Sequence, residues 1–227
     1  MSKANKSNKA IKYRLYPNDE QKVMFAKTFG CCRFVYNQLL ALQKQRYKGG
    51  ESHLSKLKSN EFATRTLKKD YDFLKEIDKF AVSNAVFHLA DAYDRFFKKQ
   101  NHFPKFKSKR KSKKSYTTNF TNNNILIGKN VIKLPKVGMV KAVIHKLPKD
   151  DWKLKSVTVS QDGVGNYFAS VLFEYEQEDI PSVSKSSTNA IGLDYKSDGL
   201  YMDSNGNKAG VHKYYRESHK KLAKEQR

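Results

Sequence analysis

Residues 156–176 read SVTVSQDGVGNYFASVLFEYE. Val157 and Val159 alternate with polar residues before the turn-forming DGVGN at 162–166, and the alternation resumes from Tyr167 to Tyr175. A period of two marks a half-buried strand, and Asp, Gly and Asn tolerate the positive φ of a tight hairpin turn. The stretch is therefore expected to be an antiparallel hairpin. Upstream, Ile125–Ile127, Val131–Leu134 and Met139–Ile144 are short apolar runs separated by Gly, Asn and Pro. Several short strands at this spacing point to a small antiparallel barrel or sandwich. One more strand, Ala10 to Tyr16, sets Ile11, Tyr13 and Leu15 against Lys12 and Arg14, giving one buried face and one basic face.

The region between that first strand and the barrel is helical in period. Pro17 ends the strand, and Asn18 with Gln21 forms a weak capping box. Phe25, Phe29, Cys32, Tyr36, Leu39 and Leu40 then recur at helical steps, with Gly30 as a candidate break and Gly49–Gly50 as a terminator. Glu51 to Asp70 is helical but polar, anchored by Leu54, Leu57, Phe62 and Leu67. A cleaner helix carries Phe80, Val82, Val86, Leu89, Tyr93, Phe96 and Phe97 on one face and Asn84, His88, Asp91 and Arg95 on the other. The fold class is α+β, with a helical region inserted in an antiparallel barrel.

The 227 residues include 45 Lys+Arg against 22 Asp+Glu, a formal net charge of +23. Such self-repulsion is relieved by a polyanion, and nucleic acid is the natural one, because binding releases condensed counterions. A solubility bias or adhesion to anionic lipid are the plainer readings of the same charge. The 13 Tyr and 14 Phe argue against disorder. No apolar run approaches the roughly 18–20 residues of a membrane span, and the N-terminus lacks the apolar core of a secretion signal. A cytoplasmic protein is the expectation. Cys31 and Cys32 make neither a disulfide framework nor a metal-ligand spacing and are expected in the core.

Residues 98–115, KKQNHFPKFKSKRKSKKS, hold nine Lys or Arg and no acid, with Phe103 and Phe106 interleaved. Rings among lysines suit a nucleic-acid surface, which uses aromatic planes for bases and ammonium groups for phosphates. Lys105, Lys107, Lys109, Arg110, Lys111, Lys113 and Lys114 are the candidate phosphate contacts, and Arg33, Tyr36 and Asn37 come next from the first helix. The guanidinium fork fits phosphate or a guanine edge, which favours Arg33 and Arg110. Asn37 serves equally as a helix-surface or capping amide. His88 and His102 stand isolated, without a partner at ligand spacing.

PSVSKSSTN at 181–189 reads as a linker. Beyond it, a strand from Ala190 to Leu193 ends in Asp194, a second runs around Leu200 to Met202, SNGN at 204–207 turns the chain, and a helix begins near Tyr214. A strand, an Asp and a hairpin in that order open ribonuclease-H-like folds.

Six collinear stretches carry a resemblance: KYRLYPNDEQ, FGCCRFVYNQLL, HFPKFKSKRKSKKSYTTN, IKLPKVGMVK, the hairpin at 156–176, and IGLDYKSDGLYMDSNG. Together they resemble the TnpB (OrfB) family of insertion-sequence, transposase-associated RNA-guided DNA endonucleases over nearly the whole chain. The resemblance implies a first wedge strand at 1–17, a helical, helix-turn-helix-like recognition region at 18–100, a wedge barrel at 101–187, and the start of a RuvC-like nuclease at 188–227. It implies guide RNA and double-stranded target DNA as partners, alongside a separate transposase of the same element, and a bacterial, nucleoid-associated protein. It also implies Asp194 as the first metal-binding carboxylate of a Mg²⁺ or Mn²⁺ site. The family's later carboxylates and its zinc-binding cysteine pairs have no counterpart here, so the expectation is a truncated chain with an incomplete catalytic set.

Elementary chemistry points the same way. Two-metal phosphodiester hydrolysis clamps two cations roughly 4 Å apart between carboxylates from separate elements, and one Asp cannot assemble that site. Downstream of Asp194 the acids are Asp198, Asp203, Glu217 and Glu225; the first two fall in turns of one hairpin, and the last two on a basic helix. Three readings follow. The first is a TnpB-like chain that binds guide RNA and DNA, the second a nuclease-dead repressor, and the third a plain basic RNA-binding protein.

Overall fold

Strand β1 (Lys6–Tyr16) sits in the middle of a seven-stranded antiparallel sheet. On one side it pairs with β7 (Tyr167–Glu176), from Lys6 opposite Glu176 to Leu15 opposite Tyr167. On the other side it pairs with β5 (Gly138–Val143), Arg14 opposite Val143. Beyond β7 the sheet runs through β6 (Lys153–Gln161) to β2 (Lys114–Asn119); beyond β5 it runs through β4 (Val131–Leu134) to β3 (Leu126–Ile127). These elements come from a computed structural model, which describes residues 6–176, 191–195, 199–210 and 212–226. The expected hairpin is β6–β7, and the other expected strands, β3 to β5, fall where the apolar runs lie. Closure into a barrel is not seen: β2 and β3 end the hydrogen-bonded order with no ladder joining them. Sequence reading also missed β2, whose alternation of buried Tyr116 and Thr118 begins inside the lysine run.

The helices pack on the apolar face of this sheet. Helix α1 (Asp19–Lys48) starts with the expected capping box: Gln21 N–H donates to Asn18 Oδ1 at 2.8 Å, and Asn18 N–H donates to Gln21 Oε1 at 3.1 Å. It then runs 30 residues without interruption, so Gly30 does not divide it. A Cβ at Gly30 would meet nothing within 4 Å, and the turn there is a regular one that costs only glycine's intrinsic helix penalty. Helix α1 ends at Gly49, and Gly50 takes φ +71°, a conformation glycine adopts freely.

The polar stretch after α1 forms short pieces: α2 (Lys56–Glu61), a π-helical turn (Phe62–Leu67), α3 (Lys68–Asp70) and a 3₁₀ turn (Asp72–Lys75). Of its expected anchors Leu67 is buried, while Leu57 is 81% exposed. Helix α4 (Lys79–Phe97) buries Val82, Val86, Leu89 and Tyr93 against α1. Its N-cap is Asp78, whose carboxylate accepts from Ala81 N–H at 3.2 Å and from the Thr118 hydroxyl of β2 at 2.7 Å. Asn84 adds a bond from its amide to the Thr117 carbonyl at 3.0 Å. One core joins the layers, with Tyr13, Leu15, Phe25, Val35, Leu39, Val159 and Phe173 all essentially inaccessible. Cys31 and Cys32 lie in it as free thiols, and burial pushes the Cys32 thiol up to about 12, which keeps it protonated.

The chain divides at residues 178 and 179 into two compact units. The second holds a small antiparallel sheet, β8 (Leu193–Tyr195), β9 (Tyr201–Asp203) and β10 (Lys208–Ala209) in the order β10-β9-β8, and helix α5 (Tyr214–Glu225). The proposed linker at 181–189, with Ala190 and Asp198, lies outside the described residues. No described helix is long and apolar enough to cross a membrane.

One turn motif serves both units. In DGVGN and DSNGN, the carboxylates of Asp162 and Asp203 accept from backbone N–H groups two and four residues on, and the amides of Asn166 and Asn207 donate back to them. Gly165 and Gly206 supply the positive φ, +95° and +86°. The aspartates thus close these turns and are held there by directed hydrogen bonds.

Candidate nucleic-acid interface

The basic segment leaves α4 through Lys99, in the left-handed conformation at φ 57°, and takes no regular structure until β2. What fixes it is α1. Asn37 Nδ2 donates to the Lys107 carbonyl at 2.9 Å, and Lys107 N–H donates to Asn37 Oδ1 at 2.8 Å. Nearly two turns further along α1, buried Gln43 grips Leu54 the same way, donating to its carbonyl at 3.2 Å and accepting its N–H at 3.1 Å. The side chain of Lys107 turns inward, its ammonium 4.0 Å from the ring centroid of buried Tyr36. Desolvation there lowers the Lys107 pKa, so the charge is held at a cost that the ring offsets.

Beyond Lys107 the chain makes a serine-pinned turn. Ser108 N–H donates to the Ser112 hydroxyl at 2.9 Å, Lys111 N–H to the Ser108 hydroxyl at 3.1 Å, and Ser112 N–H to the Ser108 carbonyl at 3.1 Å. Lys109, Arg110 and Lys111 therefore project from an ordered tip, and all three are exposed, as are Lys105, Lys113 and Lys114. Lys114 Nζ reaches Gln161 Oε1 across the ladder at 3.0 Å. Arg33 lines a cavity of about 40 Å³ between α1, α4 and β2, together with Lys107, Lys113 and Lys114. The predicted residues thus fall into two sets. Arg33 shares a cavity with Lys107, Lys113 and Lys114, whereas Tyr36 and Asn37 are turned toward the segment and are occupied in holding it.

The outer face of the sheet carries cations that the sequence reading described only as a basic face. Lys12 Nζ lies 4.2 Å and the Arg14 guanidinium 5.0 Å from the Phe168 ring centroid, and Arg14 also donates to Asn166. The alternation of Lys12 and Arg14 along β1 is the signal that could have named them.

Asp194 stands differently. It sits mid-strand in β8 and is exposed, opposite Met202 in the register, while Asp203 is opposite Leu193. Partners in register share a face and neighbours along a strand do not, so the two carboxylates point to opposite sides of the ribbon. Asp203 is also committed to its turn: hydrogen bonds from the Asn207 amide and from backbone N–H groups hold its carboxyl below the usual range. Among the described residues no three His, Cys, Asp or Glu side chains gather in a ligating group. These residues do not by themselves fit a two-metal centre.

A helix-turn-helix domain model of the OrfB type matches residues 7–52. The "Putative RNA-guided DNA endonuclease" of Streptomyces pristinaespiralis is 31% identical over 221 residues, 96% of this chain and 54% of the relative. Escherichia coli K12 InsQ, which carries the same description, is 28% identical over 225 residues, 96% of this chain and 52% of that protein. The chain belongs to the TnpB/OrfB family. It spans about half the length of the curated relatives it matches. A cryo-EM structure of a Cas12f1–sgRNA–target DNA complex aligns over 97% of this chain and 61% of that one, with TM-score 0.41 and 12% identity. In this TnpB/OrfB chain the segment matched as helix-turn-helix folds as β1 and the single helix α1, with no turn between two helices.

Proposed function

We propose that this TnpB/OrfB chain binds a guide RNA and its DNA target, with the helical region at 18–100 as a recognition element and the sheet at 101–187 as a wedge. The observation that carries the proposal is the ordered basic segment. Its backbone is gripped by Asn37, its tip is pinned by serines, and its exposed Lys113 and Lys114 line one cavity with Arg33. Phosphate contacts position a polyanion only when the cations are held in register, and this segment holds them so. The family relatives' names supply the guide-directed chemistry, DNA cleavage, as the activity of the longer proteins.

A binding-only role is the second reading, favoured because no ligating group of three forms around Asp194 among the described residues. Under either reading Asp194 would contribute one carboxylate toward Mg²⁺ or Mn²⁺.

The test is to express the chain together with its flanking transcript and sequence the RNA that co-purifies. One dominant structured RNA from beside the gene supports the guide reading, and a salt-labile mixture overturns it. Comparing cleavage of target DNA by the wild type and Asp194→Ala separates a nuclease from a binder.

A further inference from the structure

At the far end of α1 and α4 the structure exposes aromatic rings that the core does not use. Tyr47 is 84% and Phe97 65% exposed, and they border a groove of about 600 Å³ shared with Tyr93, Phe96 and Phe103. Tyr93 and Phe97 lie nearly parallel, 23° apart with centroids 6.2 Å apart, while Phe103 meets Tyr93 and Phe96 edge-on at 86° and 85°. The inner rings thus brace one another, and Phe97 turns most of its surface to solvent.

The rim is cationic. Lys44 Nζ lies 5.5 Å from the Phe103 centroid and 4.7 Å from that of Phe106, Lys48 lines the groove, and exposed Lys98 and Lys99 follow Phe97. The one carboxylate in the lining, Glu51, is paired with Arg46 at 2.5 Å. Desolvation lowers the pKa of His53, which packs 4.6 Å from Tyr93, so it is neutral at pH 7.

We propose that this groove binds unpaired nucleobases of a single strand, stacking them on Phe97 and Tyr47 while Lys44 and Lys48 meet the backbone. Protein interfaces are depleted in lysine at their centres, whereas sequence-tolerant single-strand sites interleave rings with ammonium groups as this groove does. Phe103 and Phe106 also belong to the basic segment, so the groove continues the phosphate-binding surface. The proposal rests on the nucleic-acid reading above and adds a preference for unpaired over paired strands. Bases in a duplex are already stacked and cannot reach a groove wall.

The experiment measures fluorescence anisotropy of the full chain with a labelled 12-nucleotide single strand and with a duplex of the same length. The variants are Tyr47→Ala/Phe97→Ala and Lys109→Ala/Arg110→Ala/Lys111→Ala, all at exposed positions. The aromatic pair is expected to weaken single-strand binding by about 5- to 150-fold per stacked base and leave duplex binding unchanged. The triple variant is expected to weaken both. Phe97→Trp, which keeps a ring, is expected to retain single-strand affinity and to lose emission on binding as its indole is stacked; Trp152 is the chain's one native tryptophan. Unchanged single-strand binding in the aromatic pair, or equal loss for strand and duplex, overturns the groove while leaving the nucleic-acid reading intact. A wild-type chain that binds neither oligonucleotide overturns both. A concentration-dependent dimer abolished by the aromatic pair, with single-strand affinity unaltered, assigns the groove to a second copy and also overturns the proposal.

Discussion

Asn37 holds Lys107 by its main chain, and the two residues are 70 positions apart in sequence. A single primary amide thus fixes where a run of cations leaves the helical layer. Replacing it with alanine removes two hydrogen bonds and strands a partly buried N–H, a loss of about 1–3 kcal/mol. The expected signature is local. Amide exchange at Lys107 and through the Ser108–Ser112 turn should accelerate, and nucleic-acid affinity should fall with it. Unchanged exchange at Lys107 in Asn37→Ala would remove the clamp from the account.

Lys107 itself separates folding from binding. Its folded pKa is depressed by desolvation, so the unfolded chain holds that proton more tightly, and the folded state carries the cost at neutral pH. That cost shrinks as pH rises through the folded pKa toward the ordinary lysine value of 10.5. Lys107→Met keeps the stem and drops the charge. The melting temperature at pH 7 should hold or rise, while the slope of binding against salt should fall by about one if Lys107 meets a phosphate.

Asp78 is the joint between α4 and the sheet. Asp78→Ala removes an N-cap and leaves the Thr118 hydroxyl, 0% exposed, without its acceptor. Adding about 1 kcal/mol for the cap to about 1–3 for the orphaned hydroxyl gives an expected loss of about 2–4 kcal/mol. A shifted urea midpoint with an unchanged m-value is the measurement.

Acid should weaken the fold before any carboxylate titrates. Desolvation lowers the pKa of both His53 and His88 from the ordinary 6.5. A depressed pKa contributes stability that is present above 6.5 and lost as pH falls toward the folded values. Urea midpoints measured from pH 8 to pH 5 should decline, and His53→Gln with His88→Gln should flatten that decline. A double variant with the wild-type slope would locate the acid sensitivity elsewhere.

How much of this was legible in the sequence depends on whether the cause is local. The Asn18–Gln21 capping box, the alternation of β1 and the Asp-Gly turns each depend on neighbours a few residues away, and each was readable. Strand β2 was not, because the lysines that give the segment its charge hide an alternation carried by Tyr116 and Thr118. Phe96 and Phe97 continued the apolar stripe of α4, yet Phe97 is 65% exposed, since the stripe outruns the surface it packs on. Asn37 showed a polar residue on a helix; which backbone it would meet is a property of the folded chain alone. Asp194 was readable as an acid on a strand, while its position on the opposite face of the ribbon from Asp203 followed only from the register of β8 and β9.

The central place of β1 has a consequence for how the molecule is made. The first strand to leave the ribosome can meet β5 with its end alone, and cannot pair along most of its length until β7 exists, because Lys6 lies opposite Glu176. At about 5–20 residues per second the wait is on the order of ten seconds or more. During that interval α1 and α4 can meet through nearby sequence, but β1 lacks the strand that pairs with most of its length. Ile11, Tyr13 and Leu15 must then wait beside a strongly cationic nascent chain, whose charge keeps neighbouring copies apart. The same basic composition that fits the chain to a polyanion thus also protects it from aggregation during synthesis.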